Sequence, residues 1–194
     1  MRSPPLTVLH VDSMREYRAD QTQTRLLMAG LARRPGVHQA LIAPASSRLT
    51  REAAELGVDI RPAAWRAAVD PRALAILHAG FADDWDVVHA HDEHAVRSVL
   101  LARALSGGRA PVVASRRLDV RRGRISIWQR ADLVIADSRR ARDALVGQGL
   151  ERRRVEVVCN GVDPNDAAEV RRFMADAMID GTLRCYRAVG RQVS

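Results

Sequence analysis

The sequence contains no lysine; all 31 of its Lys-plus-Arg positions are arginine. Chemistry that needs a Schiff-base lysine or the lysine of a phosphate-binding P-loop is therefore excluded. Cysteine is nearly absent too. Cys159 and Cys185 cannot build a disulfide framework or a cysteine-rich zinc centre, and a reducing compartment is the simplest setting. Aromatic residues make up only 4%, which supplies a base-stacking platform for single strands poorly. No apolar run approaches the ~18 residues needed to span a bilayer. Asp12 and Arg15 interrupt the first apolar stretch, so no signal peptide is expected. Neither G-x-G-x-x-G nor G-x-x-x-x-G-K-[ST] occurs, and there is no G-x-S-x-G elbow. Dinucleotide sites, P-loops and α/β-hydrolase chemistry lose their sequence support.

What is present describes one globular domain. The chain has 194 residues, 47% hydrophobic and 28% charged, enough to bury a core without metal or disulfide staples. Its net charge of +8 favours an anionic partner, such as a phosphorylated substrate or an anionic membrane surface. Nucleic acid is not expected, because the arginines are scattered and no helix-turn-helix or RNP-like pattern occurs. The expected location is the cytosol, or at most a membrane surface.

Short Val/Ile/Leu-rich runs alternate with helical patterns. The runs predict strands at Leu6–Val11, Ala40–Ala43, Val58–Ile60, Val87–His91, Pro111–Ala114, Leu133–Ala136 and Val155–Cys159. Little polar alternation within them means both faces are covered. Gln23, Leu26, Leu27, Gly30 and Leu31 share one helix face, ended by Pro35-Gly36. A second helix spans 93–105 before Gly107-Gly108, and a third follows the N-cap candidate Ser138. Residues 167–179 look helical, with Gly181 expected to break the helix. The fold class is α/β, a single doubly wound parallel sheet of about seven strands, Rossmann-like.

In such sheets ligands bind outside the carboxyl ends of the strands. The residues that follow the strands are polar: Asp12-Ser13, then His91-Asp92-Glu93-His94, Ser115-Arg116-Arg117, Asp137-Ser138 and Asn160-Gly161. His89 and His91 lie at i and i+2 and point to one side of their strand. His91 is the candidate to meet a substrate hydroxyl or back a developing charge, while His89 reads as a core residue. A metal site built from His89, His91, Asp92, Glu93 and His94 is disfavoured, since no standard ligand spacing appears. Arg116 can hold a phosphate or carboxylate by forked hydrogen bonds. Arg121, Arg122 and Arg124 read as a solvated loop.

These residues, taken in order, resemble the N-terminal domain of glycosyltransferase family 4. The resemblance rests on D-V-V-H-A-H (86–91), A-D-L-V-I-A-D-S (131–138), Leu145 to Gly149-Leu150 and V-E-V-V-C-N-G-V-D (155–163). Y-R-A-D-Q-T-Q (17–23) is similar to a W-R-G-G-Q-x-Q loop of some members, with Ala19 and Asp20 replacing the glycines. The family is retaining and has a GT-B fold, two facing Rossmann-like domains. Its N-terminal domain binds the acceptor, and its C-terminal domain binds the nucleotide sugar.

The resemblance thus implies half of a GT-B fold at 1–163. Residues 164–194 are then a helix and short basic tail, the remnant of a link to an absent donor domain, and R-A-V-G-R (187–191) resembles that domain's first strand. His91 would be catalytic and face the sugar. Arg18, Gln21, Arg116 and Ser138 would bind substrate. A nucleotide sugar would be the co-substrate, with no metal or other cofactor. Partners would be a donor-binding domain or subunit in trans and a sugar or glycolipid acceptor. The half would be inactive alone. The alternative is a non-catalytic binding module for a phosphosugar or anionic glycolipid, which Ala19-Asp20 favours.

Overall fold

A computed structural model describes residues 5–67, 69–116, 125–161 and 169–190, with side chains of 169–173 left aside. Seven strands form one parallel sheet: β1 (Leu6–Val11), β2 (Val37–Ala43), β3 (Asp59–Pro62), β4 (Val87–Ala90), β5 (Val112–Arg116), β6 (Leu133–Ala136) and β7 (Val155–Val157). Their order across the sheet is β3-β2-β1-β4-β5-β6-β7. The order reverses between β1 and β4, the switch point at which doubly wound sheets open a crevice. The helices are α1 (Ala19–Ala32), α2 (Arg48–Glu55), α3 (Pro71–Gly80), α4 (Glu93–Ser106), α5 (Ile125–Trp128), α6 (Arg139–Gly147) and α7 (Glu169–Gly190).

Local chemistry starts and stops these helices. Ser47, Asp70, Asp92 and Ser138 each accept a first-turn amide through the side chain, at α2, α3, α4 and α6 respectively. Gly107 ends α4 with φ +65°, a left-handed geometry that glycine takes without strain. Alternation along the strands divides the core. Leu9, Val11, Ala40, Ile42, Val88 and Ala114 face one layer with α3–α6. Val8, Val87, Val113 and Ile135 face the other, under α1 and α7.

The C-terminal region differs from its expectation. Gly181 does not end a helix; α7 runs unbroken from Glu169 to Gly190. A β-carbon at 181 would stand 3.1 Å from Val158 Cγ1, so this glycine lets the helix lie close to the chain leaving β7. Residues 187–190 are helical rather than the start of a strand. Ile179, Leu183, Tyr186 and Val189 are buried from α7. At roughly 1.5–3 kcal/mol for each fully buried large side chain, the helix is a substantial part of the core. β2 also starts three residues before its expected position, and β7 ends at Val157. Arg117, Arg121, Arg122, Arg124 and the Val162-Asp163 end of the N-G-V-D motif lie outside the described residues. Among the described residues, no helix is long and apolar enough to cross a membrane.

Two predictions follow from this packing. A β-carbon at Gly30 would meet Ile179 Cδ1 at 2.0 Å and Cγ1 at 2.5 Å, across the α1–α7 contact. Gly30→Ala should cost about 1–3 kcal/mol in urea unfolding, as overpacking does. Burial, with Glu156 adding to it, pushes the Cys185 thiol up to about 12, whereas Cys159 is exposed. An alkylating reagent should therefore modify Cys159 in the native protein and Cys185 only on unfolding; equal native rates would refute this.

Candidate functional site at the strand ends

Because β1 and β4 are neighbours, the loops after them leave the sheet side by side. The His91 amide donates to the Val11 carbonyl at 3.0 Å, which extends the pairing by one residue. Asp92 then accepts from the Ser13 amide (2.7 Å), the Ser13 hydroxyl (2.5 Å) and the Ala95 amide (3.0 Å). One carboxylate caps α4 and ties the first loop to it. Gln21 holds that loop from the other side. Its Nε2 donates to Asp12 Oδ1 and to the Met14 carbonyl, both at 3.0 Å, and its side chain is fully buried.

The other expected contacts have these places. Arg18 precedes α1 with its guanidinium exposed, 2.7 Å from Glu16. That hydrogen bond holds the Glu16 carboxyl below its ordinary range. Arg18 joins Ser13, Met14, Arg15, Arg66 and His94 around a depression of about 330 Å³ at the rim. Ser138 accepts from the Ala141 amide (3.2 Å) and donates to Asp137 Oδ1 (3.0 Å), so its role in the fold is a helix cap. Arg116 lies over the Trp128 ring at 4.8 Å, and its Nη1 is 3.7 Å from Glu93. A second depression, about 450 Å³ beside Asp84, Trp85, Arg109 and Pro111, lies at the opposite edge, where β4 and β5 begin. Position outside the strand carboxyl ends favours the smaller one as a ligand site.

His91 and Arg116 end adjacent strands at one rim. They occupy opposite faces of the sheet, however. Arg116 packs on Trp128, in the α3–α6 layer. His91 is only 4% exposed and lies with His10 and His89, beside Tyr186 of the α1/α7 layer.

The sequence pairs His89 with His91, but His10 as the third member of the cluster went unnoticed. His10 pairs in register with His89 across β1 and β4. Ring centroids are 4.0 Å apart for His89 and His91, 5.2 Å for His10 and His91, and 5.9 Å for His10 and His89. His10 Nδ1 is 3.0 Å from His91 Nε2, and His10 Nε2 is 3.2 Å from Gln39 Oε1. His89 bonds Tyr186 through Nδ1 and the Ser115 hydroxyl through Nε2 at 2.8 Å. Three imidazoles with ring nitrogens within 4.8 Å match a zinc ligand count. Yet both nitrogens of His10 and of His89 already have hydrogen-bond partners, which a metal would displace. The donor set is that of a buried polar network.

Residues 21–166 match the sequence profile of Glycosyltransferase Family 4. The chain belongs to this family. No curated protein sequence matches it. Among solved structures, Anabaena Alr3699/HepE in complex with UDP and glucose is similar, with a TM-score of 0.64 at 14% identity, over 87% of this chain and 50% of that one. The lipopolysaccharide outer core galactosyltransferase WaaB has a TM-score of 0.65 at 12% identity, over 81% and 46%. The UDP-N-acetylglucosamine 2-epimerase of Rickettsia bellii reaches 0.54 at 14% identity, over 80% and 45%. The family 4 chain thus spans about half the length of each. At such identities the likeness establishes the fold, half of a GT-B architecture, and the epimerase shows that this fold hosts more than one reaction.

The Asp92 clamp yields a prediction for this family 4 domain. Asp92→Ala should cost about 1–3 kcal/mol, because it leaves the Ser13 and Ala95 amides without their acceptor. Hydrogen exchange should accelerate at both amides; protection unchanged at Ser13 would show that the loop is held by other means.

Proposed function

We propose that the chain is the acceptor-side half of a retaining glycosyltransferase. It would act on a cell-envelope or glycolipid acceptor, with a nucleotide sugar as donor. The observation that carries this reading is the gathering of strand-end groups at one rim in a chain whose residues 21–166 match family 4. The HepE crystal structure holds UDP and glucose, and WaaB is a lipopolysaccharide outer core galactosyltransferase, which supports a sugar donor and an envelope acceptor.

In this reading a donor-binding domain closes over the rim. The departing donor phosphate assists the transfer, and His91 supports the charge that develops at the sugar. Arg18 and the neighbouring Arg15 and Arg66 meet acceptor or donor phosphate at the depression they line. Arg116, behind Glu93, contributes positive charge to the rim. Gln21 and Ser138 act by holding the β1 loop and the α6 cap. The half is inactive without its donor-binding partner, in trans or otherwise. Its place of work is the cytoplasm, at the inner membrane face.

A second reading, a non-catalytic module for a phosphosugar or anionic glycolipid, draws on two observations. Arg18 is paired with Glu16, and Asp20 stands in the first turn of α1. A carboxylate there disfavours a donor diphosphate.

Micelles of an anionic glycolipid titrated into the labelled protein test both readings. Amide shifts confined to Ser13, Arg15, Arg18 and His94 are expected, weakened in Arg18→Ala. Shifts elsewhere, or none, would remove acceptor binding from this face. Added UDP-glucose and a family 4 donor domain then separate the readings, since only the first predicts sugar transfer by the mixture.

A further inference from the structure

The polarity of the histidine network can be assigned from its far end. Gln39 Nε2 donates to the Met28 carbonyl of α1 at 3.2 Å. A carbonyl only accepts, so the Gln39 amide cannot be turned the other way without setting two oxygens against each other. Its Oε1 therefore faces His10 Nε2, 3.2 Å away, and that nitrogen must carry a proton. A neutral His10 then has a bare Nδ1, which accepts from His91 Nε2 at 3.0 Å. The donors run one way, from His91 to His10 to Gln39 to the Met28 carbonyl. All three imidazoles are buried, and the assignment is for the neutral ring, the form that prevails above the ordinary imidazole value.

We infer that His10 and Gln39 are positioning residues that fix His91 as the Nε2–H tautomer, with its acceptor lone pair on Nδ1. The inference rests on the proposed role of His91 beside the sugar and gives that role a direction. A lone pair favours a nearby positive charge, and it has nothing to donate to a phosphate oxygen. His91 would thus face the positive charge that develops at the sugar, while the diphosphate is left to arginine.

Long-range proton–nitrogen NMR on the full chain, near pH 8.5 and about two units above the ordinary imidazole value, reads the tautomers directly. His10 and His91 should both appear protonated at Nε2 and bare at Nδ1. His91 protonated at Nδ1 would overturn the assignment, and this wild-type spectrum needs no variant. Gln39→Met removes the acceptor that orders the chain. It should shift His10 and His91 towards mixed tautomers while His89, bonded to Ser115 and Tyr186, keeps its pattern. An unchanged His91 in a folded Gln39→Met protein would also overturn the inference, since a merely structural network would behave that way. The tautomer is read without ligand, so it stands apart from the sugar contact. UDP-glucose added with a family 4 donor domain probes that contact: a shift at His91 Nδ1 supports it, and an unmoved Nδ1 beside an intact tautomer removes the sugar reading alone.

Discussion

The parallel pairing of β1 with β4 is the constraint from which the site derives. Because Val11 lies beside Ala90, the chain leaves the sheet twice at neighbouring points. Asp92 can then reach Ser13, and His10 can lie against the imidazoles of β4. Neither arrangement is local in sequence; the hydrogen bonds between Ser13 and Asp92 join residues 79 apart. The same pairing marks the point where sheet order reverses, so the cleft and the polar cluster have one origin.

Much of the fold was legible because its signals are local. β1 and β6 have the boundaries that their apolar runs suggest, and Ser138 caps the helix that follows it. Gly181 was misjudged because sequence treats glycine as a breaker, whereas here the missing side chain makes room for Val158. Packing within α7 outweighs the modest intrinsic cost of glycine in a helix, about 1 kcal/mol.

The site was legible at the level of strand ends and not at that of partners. His91 and Arg116 were placed at one rim correctly, but alternation about the sheet sends them to opposite faces. His10 was overlooked although it shares one face of β1 with Val8, opposite Leu9 and Val11. The strand order 2-1-4 would have set it opposite His89, so the missing information was topological. Gln21 was read as a substrate contact from its match to the family's loop; its Nε2 is given to Asp12 and Met14, while its buried Oε1 has no hydrogen-bond partner among the described residues.

The bond from Tyr186 to His89 has a consequence for how the chain can be divided. Tyr186 is fully buried and comes from the last helix, while His89 is near the middle of the sequence. Any recombination or proteolytic cut that detached α7 would uncover apolar sheet surface and also strip a buried imidazole of its phenol. The smallest autonomous unit of this fold therefore extends to the final turn of α7, well past the last strand.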